Sequence, residues 1–185
     1  MRPSRLASAL LAVALPVATH AAGCDAQLRK HLASERAHAF EAFEAFDQDD
    51  HPGWRPLADA GCEAEAATLI SAYAAKQACP HPVLAWHRAQ MLAGAGRTSE
   101  AVAATRSTLY PAGSDDASGF DRNDHVNATI AFLQGDQRAL QANRDRLAEA
   151  VAKTERNQPN LRSANRLLRC FGQAYKIAHS CPTTP

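Results

Sequence analysis

The feature that most constrains this chain is a helical pattern that recurs three times, each time around a glycine. The glycines are Gly61, Gly96 and Gly135, and they lie 35 and 39 residues apart. A stretch of small and apolar residues precedes each glycine, a short polar turn follows it, and a second helical stretch begins after the turn. A repeat of roughly 20–50 residues predicts stacked helical units, because one such unit cannot bury its apolar face alone.

Two positions in these segments carry the packing argument. Seven residues before the glycine, Ala89 and Ala128 offer the small side chain that lets two helices approach closely. Five residues after it, Ala66, Ala101 and Leu140 stand where the second helix would cross the first. The pattern therefore predicts helix hairpins that are tightly packed through small residues.

This arrangement resembles the tetratricopeptide repeat, a family of helix hairpins that stack into an α-solenoid. The longer glycine spacing is explained by an extra loop rich in Gly, Ser and Asp at 112–124. Trp54 departs from the family pattern, since it occupies a site that the family reserves for a small residue, and the turn at 47–53 truncates the same hairpin. The first repeat is therefore degenerate. The repeats are expected at about 54–78, 82–110 and 124–150.

An all-α fold also follows from composition and pattern. Alanine is abundant, aromatic residues make up only 6% of the chain, and no alternating run of strand length occurs. We expect one tetratricopeptide-like domain at 22–185, with a capping helix at each end of the stack. The first should span about 25–46, with Asp25 as its N-cap, and the last about 161–178.

The N-terminus predicts export. Two arginines precede an apolar run at 6–18, and small residues follow, as is typical of a secretory signal peptide that ends at Ala21. The run is shorter than the roughly twenty residues that a membrane-spanning helix needs, so no transmembrane segment is expected. Cleavage after Gly23 would instead expose Cys24 and predict a lipid anchor, but Ala21 stands where a lipobox usually has a large aliphatic residue. The expected location is the periplasm or the medium.

The net charge of the chain and its sequence motifs argue against several classes of function. Without the two arginines of the leader, the chain has 18 basic and 19 acidic side chains. This near-neutral balance argues against nucleic-acid binding. No GxSxG, HExxH or Gly-rich phosphate loop is present, and the acidic turn at 47–50 lacks the glycine and glutamate of a calcium-binding loop. We therefore predict neither an enzyme nor a cofactor.

The five cysteines, Cys24, Cys62, Cys79, Cys170 and Cys181, are disulfide candidates in an oxidising compartment. Cys62 and Cys79 flank a predicted helix that would hold them roughly 20 Å or more apart, so they should not pair. Cys170 can reach Cys181 only if the last helix stops near Tyr175 and the tail folds back. Cys24 could meet either Cys62 or Cys79.

One metal candidate exists in the sequence. His31, Glu35 and His38 lie at i, i+4 and i+7, which places them on one face of a helix. Polar residues on an outer helix face produce the same spacing without a metal, so the site is a weak candidate.

The resemblance also implies a binding surface. In similar proteins the first helix of each hairpin lines a concave groove that holds an extended peptide or a partner helix, and Trp86 is the kind of residue that anchors such a partner. Carried over by offset from each glycine, the peptide- or protein-binding residues would be Arg55, Trp86, Gln90, Arg122, His125 and Thr129.

We therefore predict a periplasmic or secreted scaffold or adaptor that binds a protein or peptide partner of the cell envelope. An inhibitor or immunity protein for a cell-envelope enzyme is the alternative, and it would use the loop at 112–124. A metal-binding protein is a third hypothesis. The sequence does not separate the first two, because both need only a small helical scaffold.

Overall fold

A computed structural model describes residues 15–37, 43–48, 53–78, 80–111 and 119–182. Within these ranges the protein is helical, with neighbouring helices packed together and no strand, which confirms the predicted all-α class. The helices are α1 (Leu15–Ala37), α2 (Arg55–Asp59), α3 (Glu63–Ala74), α4 (Pro82–Gly94), α5 (Thr98–Arg106), α6 (Asn123–Leu133), α7 (Gln137–Lys153), α8 (Gln158–Arg169) and α9 (Tyr175–His179), with a π-helical turn at Glu44–Gln48 and a 3₁₀ turn at Glu155–Asn157.

The three glycines of the repeat end α2, α4 and α6 in the same way. Gly61, Gly96 and Gly135 have φ values of 78°, 72° and 71°, which an L side chain rarely adopts. At each turn the amide of the glycine and the amide of the next residue donate to carbonyls three and five residues earlier, as Gly96 does to Ala93 and Arg97 to Leu92. This is the Schellman motif, which satisfies the last carbonyls of a helix. The common turn makes three helix pairs: α2 with α3, α4 with α5, and α6 with α7.

The positions singled out around the glycines are buried. Ala66, Ala101 and Leu140, each five residues after a glycine, have no exposed surface, and Ala89 and Ala128 before the glycines are at most 1% exposed. Consecutive pairs also contact each other, since α3 packs on α4 and α5 packs on α6. Close helix approach through small side chains therefore organises the middle of the chain.

The first helix differs from its predicted bounds. In the described residues it runs without a break from Leu15 to Ala37, so Asp25 lies inside α1 and is not an N-cap. The π-helical turn follows later in the chain and buries Phe46 completely.

The last predicted helix, 161–178, is two helices. The chain leaves the helical path after Arg169, and Gly172 takes a left-handed conformation with φ of 85°. It then re-enters a short helix at Tyr175. The break lies earlier than the Tyr175 boundary that a Cys170–Cys181 pair was expected to need.

Two cysteine pairs lie at disulfide distance. Cys24 pairs with Cys62 and thereby fixes α1 to the start of α3, while Cys170 pairs with Cys181 around α9. Both pairs were among those left open by the sequence, and they fit an oxidising compartment. Cys79 lies outside the described residues. Of the helices that the structure describes, none combines the length and the apolar character needed to cross a membrane.

Candidate functional site

A cleft of about 510 Å³ opens between α2, α4 and α9. Its walls come from the first helices of two hairpins and from the C-terminal segment, so it lies on the face that the resemblance assigns to a partner. The lining mixes aromatic, charged and amide side chains: Trp54, Arg55, Ala58, Asp59, Glu63, His87, Gln90, Met91, Gly94, Tyr175, Lys176, His179 and Ser180.

Asp47 is the buried polar centre beside this cleft. Its carboxylate has no exposed surface, and its Oδ1 atom accepts hydrogen bonds from Trp54 Nε1 at 3.0 Å and from His87 Nδ1 at 2.7 Å. Burial alone would raise the pKa of Asp47, but the hydrogen bonds from His87 and Trp54 and the nearby charge of Arg55 together lower it. Asp47 is therefore an ionised acceptor that ties the π-helical turn to α2 and α4.

The hydrogen bond to Asp47 also fixes the orientation of the His87 ring and the position of one imidazole proton. An ionised carboxylate can only accept, so the imidazole proton must sit on Nδ1. The other ring nitrogen, Nε2, has no hydrogen-bond partner in the described part of the chain, and His87 lines the cleft. His87 therefore presents its Nε2 atom in a fixed orientation to whatever enters the cleft.

Arg55 is held in place on the same side. Its guanidinium carbon lies 4.4 Å from the ring centroid of Trp54, and its Nη2 atom donates to the backbone carbonyl of Asp47. Cation–π contact and a hydrogen bond together reduce the rotamers open to this long side chain. Of the predicted binding residues, Arg55 and Gln90 line the cleft.

Trp86, Arg122 and His125 form a second cluster, one turn before Gln90 along α4. The rings of Trp86 and His125 are 4.9 Å apart, and the guanidinium carbon of Arg122 lies 5.8 Å from Trp86 and 5.3 Å from Tyr110. Trp86 is half-buried, and Tyr110 is 42% exposed. The structure thus brings together three of the predicted residues and adds Tyr110, which the sequence analysis did not name.

His125 and Thr129 do not form an open groove surface. Thr129 is only 3% exposed, and its hydroxyl donates to the carbonyl of His125 at 3.1 Å. The Nδ1 atom of His125 is buried and has no partner in the part of the chain that the structure covers. Burial, with the charges of His179 and Arg122, lowers the pKa of His125 to about 4. The offset from Gly135 placed both residues on the correct helix but did not reveal that their polar atoms are enclosed.

The C-terminal helix packs against the same helix, α6. Tyr175 of α9 packs against Phe132 of α6 with ring centroids 6.1 Å apart, and Gln90 faces its hydroxyl group. Burial raises the pKa of Tyr175 to about 12. Burial and the charge of Arg166 lower the pKa of His179, which lies on the same short helix. The chain's own tail therefore occupies part of the predicted groove, and the cleft is what remains open.

The predicted metal candidate is only partly described. His31 is half-buried, and burial followed by the charge of Lys30 lowers its pKa, but the side chain of Glu35 and all of His38 lie outside the described residues. Elsewhere in the described ranges one group of potential ligands converges, namely His20, Cys24 and Cys62. Its two sulfur atoms are bonded to each other, so they are not available as thiolate ligands.

The acidic residues before α6 have a local structural role. Asp121, and not Asp124, provides the capping oxygen, since it accepts from the amide of Asp124 at 2.9 Å. Burial and the neighbouring Asp121 carboxylate raise the pKa of Asp124 to about 6, although Arg146 donates to it at 2.7 Å. The rest of the loop, 112–118, lies outside the described residues, and so the surface proposed for an inhibitor is not seen.

Sequence reasoning missed Asp47 and His87. Asp47 was considered only as part of the acidic turn that lacks the residues of a calcium-binding loop, and His87 was not among the predicted binding residues. A usable signal existed: Trp54 replaces a small residue at a buried position, and a buried indole requires an acceptor nearby.

Searches with family models, with sequences of curated proteins and with solved structures find nothing that matches this chain. The tetratricopeptide resemblance therefore stands on the residues and helix packing given above.

Proposed function

We propose that this protein is an exported protein-interaction module of the tetratricopeptide type, which binds a peptide or protein segment of the cell envelope. Support for the solenoid comes from the three helix pairs, their common Schellman turns at Gly61, Gly96 and Gly135, and the buried small residues between helices. Support for export comes from the N-terminal leader pattern and from the two disulfide pairs.

The cleft along α4 is the proposed binding surface. The observation that carries this proposal is that its polar groups are held ready by buried partners: Asp47 orients His87, and Trp54 and Asp47 position Arg55. Groups that are fixed before binding lose less side-chain entropy when a partner arrives. The cleft can therefore offer His87 Nε2 to a polar group of the partner, while Arg55 offers a cation to a carboxylate.

The Trp86 cluster extends this surface. Trp, Tyr and Arg are the residue types most often found at energetic hot spots of interfaces, and Trp86, Tyr110 and Arg122 lie against one another here. Because Trp86 is one turn from Gln90 on α4, a partner chain that follows α4 would contact the cluster and then the cleft. We propose binding and not catalysis, with the hydrogen bond between His87 and Asp47 holding the imidazole ring in place for a partner.

The test is affinity capture from envelope extract with the mature, oxidised protein as bait. We expect the parent to retain a specific partner, and Trp86→Ala/Arg122→Ala to retain at least about tenfold less. Asp59→Trp should also block capture, because Asp59 is exposed and lines the cleft, so that an indole there fills the cleft without removing a buried contact.

Arg138→Ala is the matched control, since Arg138 is an exposed arginine on α7, away from the cleft lining. Circular dichroism of each variant checks that the helices remain. Equal capture by all four proteins would show that the proposed surface is wrong and that the partner binds elsewhere.

A further inference from the structure

The C-terminal helix lies where a partner would lie. Of its residues Tyr175–His179, Tyr175 and Ala178 are buried, and they face α4, α6 and α8. Ile177, on the other side, is 56% exposed. One face of this short helix is therefore engaged by the same surface that the repeat pattern assigns to a bound segment.

The contacts of α9 define what this surface accepts. The aromatic ring of Tyr175 enters between Phe132 and Gln90, and the ammonium group of Lys176 pairs with the carboxylate of Glu63 at the start of α3. His179, four residues after Tyr175, has its ring 5.5 Å from that of Tyr175 and interacts electrostatically with the buried His125. The groove thus offers an aromatic slot, an acidic group beside it, and a neutral polar patch one helical turn further on.

The way α9 is attached leaves it separable from the groove. Gly172 turns the chain out of α8 with φ of 85°, and the Cys170–Cys181 bond joins the two ends of the segment to each other and not to the groove. In the part of the chain that the structure describes, α9 is held by the packing of Tyr175 and Ala178 into the hydrophobic core, next to α4, α6 and α8, and by the pair of Lys176 with Glu63 of α3. These contacts with the groove are all non-covalent.

We propose that α9 is an intramolecular occupant of the concave surface, and that the partner of this protein is a short helical segment with an aromatic residue followed directly by a cation. Such a partner would displace α9, because both need the Phe132 slot and the Glu63 carboxylate. This inference rests on the proposed function, and it names the partner class for the same surface.

The probe is a fluorescein-labelled peptide of residues 170–182, closed by its own disulfide. Full-length parent protein should bind it weakly, because the groove is occupied. Tyr175→Ala/Lys176→Ala in the full chain empties the slot and should bind the peptide at least about tenfold more tightly in fluorescence anisotropy. A peptide with Tyr175→Ala should not bind either protein.

A charge-reversal variant provides a second test that does not depend on the loss of Tyr175, which could impair folding. Lys176 is exposed, so Lys176→Glu removes no buried side chain, yet it turns the pair with Glu63 into a repulsion. This variant should bind the parent peptide more tightly than the parent protein does. Glu63→Lys/Lys176→Glu restores the pair in cis and should return binding to the parent level.

The outcomes separate the two proposals. Stronger peptide binding by the emptied variants supports α9 as a displaceable occupant, whether or not an envelope partner has been captured. If the variants keep their helicity and bind the peptide no better than the parent, α9 is a fixed part of the scaffold and this inference fails. Capture of a partner through the cleft would in that case still support the proposed function.

Discussion

Removal of the Asp47 carboxylate should destabilise the fold more than any substitution in the open cleft. Asp47→Ala leaves three donors without their acceptor: Trp54 Nε1 and His87 Nδ1, and also Gln48 Nε2, which is exposed and can turn to water. A buried donor without a partner costs about 1–3 kcal/mol, and bonds to a charged acceptor lie in the upper part of that range. Trp54 is 4% exposed, whereas the side chain of His87 is 16% exposed and can turn partly to water. The expected loss is about 3–5 kcal/mol in the free energy of unfolding.

The assay is urea unfolding followed by far-ultraviolet circular dichroism, because the fold is helical and Trp54 itself is perturbed. For a chain of this size, a loss of 1 kcal/mol in the free energy of unfolding lowers the Tm by roughly 2–4 °C. Thermal unfolding followed by the same signal should therefore show a Tm that is lower by roughly 6–20 °C. Trp54 and His87 bind the same oxygen, Oδ1, so Asp47→Asn can retain that acceptor, although its NH2 group would then face the Gln48 amide that donates to Oδ2; this variant should recover part of the loss.

Asp59→Ala is the control, since Asp59 is an exposed carboxylate of the same cleft and should change stability by less than about 0.5 kcal/mol. A loss below about 1 kcal/mol for Asp47→Ala would refute the reasoning. The pairing of Asp47 with His87 would then contribute little to either the fold or the arrangement of the cleft.

Three further outcomes follow from the same structure. Gly135→Ala should cost about 1 kcal/mol in urea unfolding, because φ is 71° there while the new Cβ would meet nothing within 4 Å; no change would argue against the left-handed turn. Acidification from pH 7 to pH 4 should cost up to about 3 kcal/mol through His125, because the unfolded chain takes up a proton that the folded chain, with a pKa of about 4, does not. The pH slope should flatten in His125→Phe, and an unchanged slope would contradict this assignment. Cys170→Ser/Cys181→Ser opens a loop of sequence separation 11 and should lose about 3 kcal/mol, measured against the reduced parent as a control.

The sequence predicts the middle of this fold well because local signals and packing agree there. Gly96 and Gly135 can end a helix in the left-handed region, and Ala89, Ala128 and Ala101 leave room for the neighbouring helix, so one pattern fixes both the turns and the contacts. These effects act within a few residues of each glycine, and for that reason they are visible in a single sequence.

The ends of the chain were harder to predict because a long-range contact decides them. The helical pattern of 161–178 is continuous in apolar spacing, and only the turn at Gly172, the bond between Cys170 and Cys181, and the fit of Tyr175 into the groove break it. None of these can be read from periodicity, since each depends on what the segment meets after it folds back.

The candidate site also combines residues that a local pattern predicts with residues that only a long-range contact brings together. Arg55, Trp86 and Gln90 were predicted as binding residues from their offset to a glycine, and their role in binding stays a prediction. Asp47 and His87 are 40 residues apart in sequence, so no local pattern connects them. Their pairing follows from the placement of the π-helical turn against α4.

Site-specific photocrosslinking tests the central claim, that a partner binds along the cleft, most directly. A benzophenone amino acid at position 110, where Tyr110 is 42% exposed in the Trp86 cluster that extends the cleft, is compared with the same residue at position 138, where Arg138 is exposed on α7. After irradiation in envelope extract, we predict a discrete crosslinked species from position 110 and none of that size from position 138. Equal crosslinking from both positions, or crosslinking from position 138 alone, would contradict the account.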